Sequence, residues 1–273
     1  MNDNVIITVY VVSETMMQEL GHTSHPQAGV SDAEIVTIAV CAALYFRNHQ
    51  ERAVQVMSGM KYISKPISIS RFNRRIHQLK DWLGMVLAKL GELFSQGESF
   101  VLDSLPLPVC KRVRAGRCRK VRGRAYCGYC AAKQEKFFGW RLHLVCTPEG
   151  LPVAFEMLPG AYHDLTPVHE LTVGLPEGAC VYGDKAYNAA DDEQTILQET
   201  GVRLVPIRKK NMVAPSWADE FDLRCYRRLI ETRNSQLENM GLEQLHARTN
   251  AGFEIKVLAA LLGLACHNLV TSN

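Results

Sequence analysis

Apolar positions recur with one rhythm in the first third of the chain and with another after about residue 95. The early spacing is helical. An apolar stretch at Val5 to Val12 is followed by Ser31-Asp32-Ala33-Glu34, the form of a capping box, in which serine and glutamate satisfy each other's backbone N–H groups. It opens a helix expected to run to Phe46. Glu51 to Met57 repeats the pattern briefly, Gly59 to Pro66 is a breaker-rich turn, and Ser70 caps a helix from Arg71 onward. Helix, turn and helix predict a small all-α, helix-turn-helix-like domain over residues 1–95.

After Gly91 and Gly97 the period shortens to two. Phe100-Val101-Leu102-Asp103 is a strand expected to end at Pro106 and Pro108, because proline cannot donate to a ladder. Trp140, Leu142, Leu144 and Cys146 alternate with Arg141, His143 and Val145, Pro148-Glu149-Gly150 turns the chain, and Val153, Phe155 and Met157 alternate again. These segments predict an antiparallel hairpin paired onto the Asp103 strand. Beyond it come a helix opened near Thr166-Pro167, a strand Ala179 to Gly183, a helix from about Asn188, a strand Val202 to Pro206, a long helix from about Phe221 and a closing helix Ala251 to Leu269. Three strands followed by alternating helix and strand predict an α/β domain over 96–273, a mixed sheet with flanking helices.

Composition narrows the partners. Basic and acidic residues nearly balance, 31 against 28, so net charge says little and distribution decides. Between Lys111 and Arg124 stand eight basic residues in fourteen and no acid: Lys111, Arg112, Arg114, Arg117, Arg119, Lys120, Arg122 and Arg124. They belong to a loop expected at about 106–136, directly after Asp103, and suit a polyanion backbone, with Arg208, Lys209 and Lys210 extending the track. In the first domain Arg71, Arg74 and Arg75 load one helix, with His77 and Lys80, as a helix lying in a DNA major groove requires. The apolar run Ile35 to Phe46 is shorter than the roughly 20 residues of a membrane span, and Met1-Asn2-Asp3-Asn4 lacks a basic leader, so a cytoplasmic protein without membrane contact is expected. Nine cysteines are scattered without a disulfide framework and are read as reduced thiols. Cys127 and Cys130 have zinc-knuckle spacing, and Cys118 with Cys110, His143 or Cys146 would be needed to complete a site; without a second paired motif structural zinc is not expected.

Asp103 and Asp184 each end a strand, and Glu231 lies within a helix. Three carboxylates from three elements suit two magnesium ions, with manganese as an alternative, since hard cations take oxygen ligands and a pair of them clamps the attacking and leaving oxygens of a phosphodiester.

The segments Leu102-Asp103-Ser104, Gly183-Asp184-Lys185 and Arg227-Arg228-Leu229-Ile230-Glu231-Thr232 resemble those of transposases encoded by bacterial insertion sequences, most closely the insertion sequence 982 family. Ser70-Arg71-Phe72-Asn73-Arg74-Arg75, Gly139-Trp140-Arg141-Leu142-His143-Leu144, His163-Asp164 and Leu245-His246-Ala247-Arg248-Thr249 carry the likeness along nearly the whole chain. The resemblance implies a ribonuclease H-like catalytic domain whose metal-binding acids are Asp103, Asp184 and Glu231, and an enzyme that cleaves DNA and transfers the strand at the ends of an insertion sequence. It further implies double-stranded DNA with terminal inverted repeats and target DNA as partners, a homodimer on DNA, and a bacterial or archaeal cell in which the protein joins the nucleoid. Such transposases often show Tyr, two residues, Arg, three residues, Glu, six residues, Lys; here those positions are Arg224, Arg227, Glu231 and Glu238, so only Arg and Glu match. Arg227 is left between a DNA phosphate and a salt bridge, and Lys185 is a further DNA contact. A nuclease of the same fold without strand transfer, or a decayed transposase that only binds DNA, are the rival readings.

Overall fold

A computed structural model describes residues 1–131, 133–208 and 216–271, with side chains throughout except at 227 and 230. By its internal contacts the chain divides into two units, Met1–Leu90 with Gln236–Asn273, and Gly91–Ser235.

The first unit is helical. It contains α1 (Asp3–Glu19), α2 (Asp32–Phe46), α3 (Gln50–Gly59), α4 (Ile69–Gln78), most of α5 (Lys80–Phe94) and α9 (Asn250–Thr271). Helix α2 opens on the expected capping box, with both reciprocal bonds formed between Ser31 and Glu34. From Ile35 to Ala43 every residue of α2 is buried, so the helix needs neighbours on all sides. Helices α1, α3, α4 and α9 supply them. The apolar stretch near the N-terminus proves to be a full helix, capped by Asn2. Helix α4 begins earlier than expected because Ser68, not Ser70, is extended and accepts the Arg71 N–H. Phe72 and Ile76, one turn apart, anchor α4, leaving Arg71 and Arg74 exposed.

Arg75 is different: it donates to the Val30 carbonyl at 2.6 Å and pairs with Asp32, so it ties α4 to the start of α2. The last helix also departs from expectation. Rather than closing the sheet, α9 packs against α1, α2 and α4, and Asn48 fastens the incoming chain by donating to the Met240 carbonyl at 2.9 Å. By length and mean hydropathy, 1.6 over its best window, α9 passes the test for a membrane span; 72% of that window is buried inside the protein, as a core helix would be.

The second unit is built on one sheet. Its strands are β1 (Ser99–Lys111), β2 (Cys127–Cys130), β3 (Glu135–Cys146), β4 (Pro152–Pro159), β5 (Cys180–Gly183) and β6 (Arg203–Pro206). β1, β3 and β4 form the expected antiparallel meander, and β5 and β6 extend it parallel to β1. The order β4-β3-β1-β5-β6 is the mixed sheet of a ribonuclease H-like domain, with β2 as an addition on the β4 side of β3. Phe100, Leu102 and Val145 of one sheet face meet Val168 and Leu171 of α6 (Val168–Thr172) and Ile196 of α7 (Ala190–Thr200). On the other face, Tyr182 and Val205 meet Leu223 and Tyr226 of α8 (Trp217–Asn239).

β1 runs through Pro106 and Pro108, where an end was expected. Beyond Leu102 its pairing continues with β3 alone, so two missing N–H groups that point to the open edge cost no ladder bond. The basic segment is correspondingly shorter than 106–136: its first residues finish β1, and its last ones form β2 and the start of β3.

Because Arg75 is part of the framework, Arg75→Ala should lower the stability of the protein by about 1–3 kcal/mol, leaving Asp32 with His22 alone. Arg74→Ala, on the exposed side, should stay within about 0.5 kcal/mol of wild type. Urea unfolding of the two variants checks the contrast; equal midpoints would remove the structural role of Arg75.

Candidate functional site

Leu102 and Gly183 are the last paired residues of the parallel strands β1 and β5, so the residues that follow them, Asp103 and Asp184, stand together where the parallel pairing ends. Gly183 permits this close packing, since a Cβ there would approach the Tyr187 ring to 2.9 Å. Tyr187 is fully buried, and its hydroxyl lies close to Ser104 on the opposite sheet face. Asp184 itself caps a single 3-10 turn, accepting the Ala186 N–H at 2.8 Å. Its exposed neighbour Lys185 is on the same turn.

Asp103 points to the α8 side, in a pocket walled by Val101, Leu144, Cys146, Leu229 and Arg233. Asn234 donates its side-chain amide to Asp103 Oδ2 at 2.5 Å. Burial pushes the Asp103 carboxyl up to about 7; the charges of Asp184 and Asp164 add to the shift, and hydrogen bonds from the Ser104 N–H and from Asn234 oppose it. Glu231 is exposed on α8, three residues before Asn234, and so on the adjoining turn of the same flank. Asp103 and Asp184 are thus brought together. Among the described residues, however, no three of His, Cys, Asp and Glu converge closely enough to hold a metal ion.

The donor set still fits hard cations: carboxylate oxygens, two of them where the parallel pairing ends and mutually repelling, with a third one helical turn from the residue that touches Asp103. Asp103, Asp184 and Glu231 are the residues that would hold such ions.

Three features were not legible in the sequence. Asp164 accepts from the Ser104 hydroxyl at 3.1 Å and lies 3.4 Å from Arg141, which also donates to the Tyr129 carbonyl at 2.8 Å. Arg233 reaches the Glu149 carbonyl at 2.7 Å and packs against Gly150, where φ is +82° and a Cβ would fall 1.8 Å from its Nε. Asn234 stands one turn from Glu231, a spacing that by itself carries no sign of its bond to Asp103.

The basic residues divide into two groups. Lys111, Arg112, Arg114, Arg117, Arg119, Arg122 and Arg124 are exposed and Lys120 partly so, with Val121 buried to pin the segment. Arg208 is engaged by Glu193 through two bonds of 2.6 and 2.7 Å, so its guanidinium is already committed. Lys209, Lys210 and the side chain of Arg227 lie outside the described residues. Cys127 and Cys130 sit on β2, and His143 is fully buried on β3, its ring held near pKa 4 chiefly by desolvation.

The family model described as Transposase DDE domain matches residues 95–250, more than half of the chain. No curated protein matches the sequence. Among solved structures, a Mos1 transposase paired-end complex with the left transposon end aligns at 12% identity over 86% of this chain and 88% of the other, with a TM-score of 0.24.

The raised pKa of Asp103 makes stability depend on pH. An unfolded aspartate titrates near 3.9, so between about pH 4 and pH 7 the folded state binds the extra proton and loses stability as pH rises. With chelator present, Asp103→Asn should therefore be more stable than wild type at pH 8, by on the order of 2–4 kcal/mol, and the two should converge below pH 4. Urea unfolding at both pH values tests this; a variant less stable at pH 8 would make the Asp103 charge a structural partner.

Proposed function

The chain belongs to the DDE-domain transposases, and on that premise we propose that it cleaves DNA at the ends of an insertion sequence and transfers the freed strand to target DNA, with Asp103, Asp184 and Glu231 as its metal-holding acids. The observation that carries this reading is the proximity of Asp103 and Asp184, each just past the last paired residues of parallel β1 and β5, with an acid-free basic segment leaving the same β1 strand.

Two bound magnesium ions, or manganese, would activate a water or a 3′-hydroxyl and neutralise charge on the scissile phosphate. The protein's own part is to hold and orient. Asp103 is fixed by Asn234 and by the Ser104 N–H, Asp184 by its cap on Ala186, and no side chain acts as a nucleophile. The pocket wall of Val101, Leu144 and Leu229 excludes water from one side of Asp103. Lys111, Arg112, Arg114, Arg117, Arg119, Lys120, Arg122 and Arg124 bind the phosphate backbone, with Lys185 beside Asp184. In the helical unit, Arg71 and Arg74 on the outer side of α4 read the terminal repeat. The narrower kinship with the insertion sequence 982 family, and assembly as a homodimer on DNA, belong to the same proposal.

Replacing Asp103, Asp184 or Glu231 by Ala should abolish both cleavage and joining of a labelled element-end duplex in magnesium while leaving binding to that duplex intact. Retained cleavage by one of the three variants would remove that residue from the site, and cleavage without joining by wild type would convert the reading to a nuclease. Neutralising Arg119 and Lys120 should weaken binding to all duplexes equally and reduce its salt dependence, whereas Arg71→Ala and Arg74→Ala should weaken the element end selectively. Equal loss on specific and random duplexes in both sets would deny α4 a part in sequence reading.

A further inference from the structure

Helix α8 meets the Asp103 face of the sheet through three contacts within little more than one turn. Leu229 lines the Asp103 pocket, Arg233 four residues on grips the β3–β4 turn at the Glu149 carbonyl, and Asn234 bonds Asp103. These contacts fix the rotation of the helix about its axis. Glu231 precedes Asn234 by three residues, and three residues of helix turn through about 300°, which puts the two side chains about 60° apart and one turn along. The bond between Asn234 and Asp103 therefore links the strand acid to the helix acid.

The residue type at 234 matters as much as the distance. A carboxylate offers about four acceptor sites, and Asp103 already uses its Oδ2 for Asn234 and a further site for the Ser104 N–H. The rest remain for a cation. A Lys or Arg at 234 would satisfy Asp103 but cancel the charge a cation needs, and an Asp or Glu would add a further like charge beside Asp103 and Asp184. A neutral amide orients the carboxylate and leaves its charge in place.

We propose that Asn234 is a positioning residue of the metal site: its amide clamps one oxygen of Asp103 and, through α8, sets where Glu231 stands relative to the two aspartates. This rests on the metal-holding role assigned above to Asp103, Asp184 and Glu231. Ligand-orienting partners of this kind typically control metal affinity by 10–100-fold.

The test is Mn2+ binding to the full-length protein followed by electron paramagnetic resonance, with thermal melting in chelator alongside. Asn234→Leu, similar in size but unable to donate, should bind Mn2+ at least about tenfold more weakly while melting within a few degrees of wild type. Asn234→Gln, which keeps the amide on a longer arm, should recover part of the affinity. If the leucine variant does not fold, Asn234→Ala, which adds no bulk, is read in the same way. Wild-type affinity in the variant without an amide, or a glutamine variant no better than leucine, overturns the positioning role and leaves the metal reading standing. Absence of Mn2+ binding by wild type overturns the metal reading, and the positioning role with it.

Discussion

A carboxyl group withdrawn from water beside two others is a costly thing to build, and the second unit is organised around keeping Asp103 in that position. Desolvation and the nearby charges of Asp184 and Asp164 all favour the protonated form, against the Ser104 N–H and the Asn234 amide. The surrounding fold has to hold the arrangement against that tendency. It does so by placing Asp103 in a long strand paired along its length with β3, so that local relaxation would break ladder bonds. A cation between the acids would supply compensation, because it would offset the desolvation of the carboxylate and turn the added repulsion from Asp184 and Asp164 into attraction.

The opposite sheet face contributes from behind. Ser104, the next residue after Asp103, points away from the pocket and bonds Asp164, which in turn meets Arg141. Arg141 continues to the Tyr129 carbonyl on β2, so the strand added beyond the basic segment is tied to the strand that bears Asp103. Gly183 and Tyr187 do the same for Asp184, the ring filling the space that a side chain on Gly183 would take. Asp184 is thus braced by its own strand and turn, Asp103 by its strand neighbour Ser104 together with Asn234 of α8, and the place of Glu231 depends wholly on how α8 lies against the sheet. Arg233 and the left-handed Gly150 make the β3–β4 turn part of that support.

Positive charge in this chain does two distinct jobs. Arg75 and Arg208 are consumed by internal acids, Asp32 and Glu193, and act as framework. The basic residues from Lys111 to Arg124 have no acid within their own segment and are exposed, Lys120 in part, which fits a surface whose partner supplies the negative charge. Arg74 and Arg75 are neighbours of the same residue type, yet a shift of 100° around α4 turns one outward and the other onto Asp32.

Whatever depends on short-range chemistry was determined by the sequence alone. The Ser31 to Glu34 capping box, the two-residue rhythm of β3 and β4, the turn at Gly150 and the end of β5 before Asp184 all rest on neighbours a few residues apart, and backbone geometry forces those neighbours together, whereas Asp103, expected at a strand end, lies within β1. The meander of β1, β3 and β4 and the mixed character of the sheet followed from the same signals, since hairpins pair locally and alternating helices impose parallel crossovers. Tertiary structure decided the rest. That α9 joins the first helices depends on which apolar surfaces remain uncovered once each unit has formed, and its own all-round apolar character is indifferent to the partner. That β1 survives two prolines depends on an open edge no local pattern reveals. Asn234 reaches Asp103 across 131 residues of chain, a contact set by how α8 packs on the sheet, and nothing in either neighbourhood encodes it.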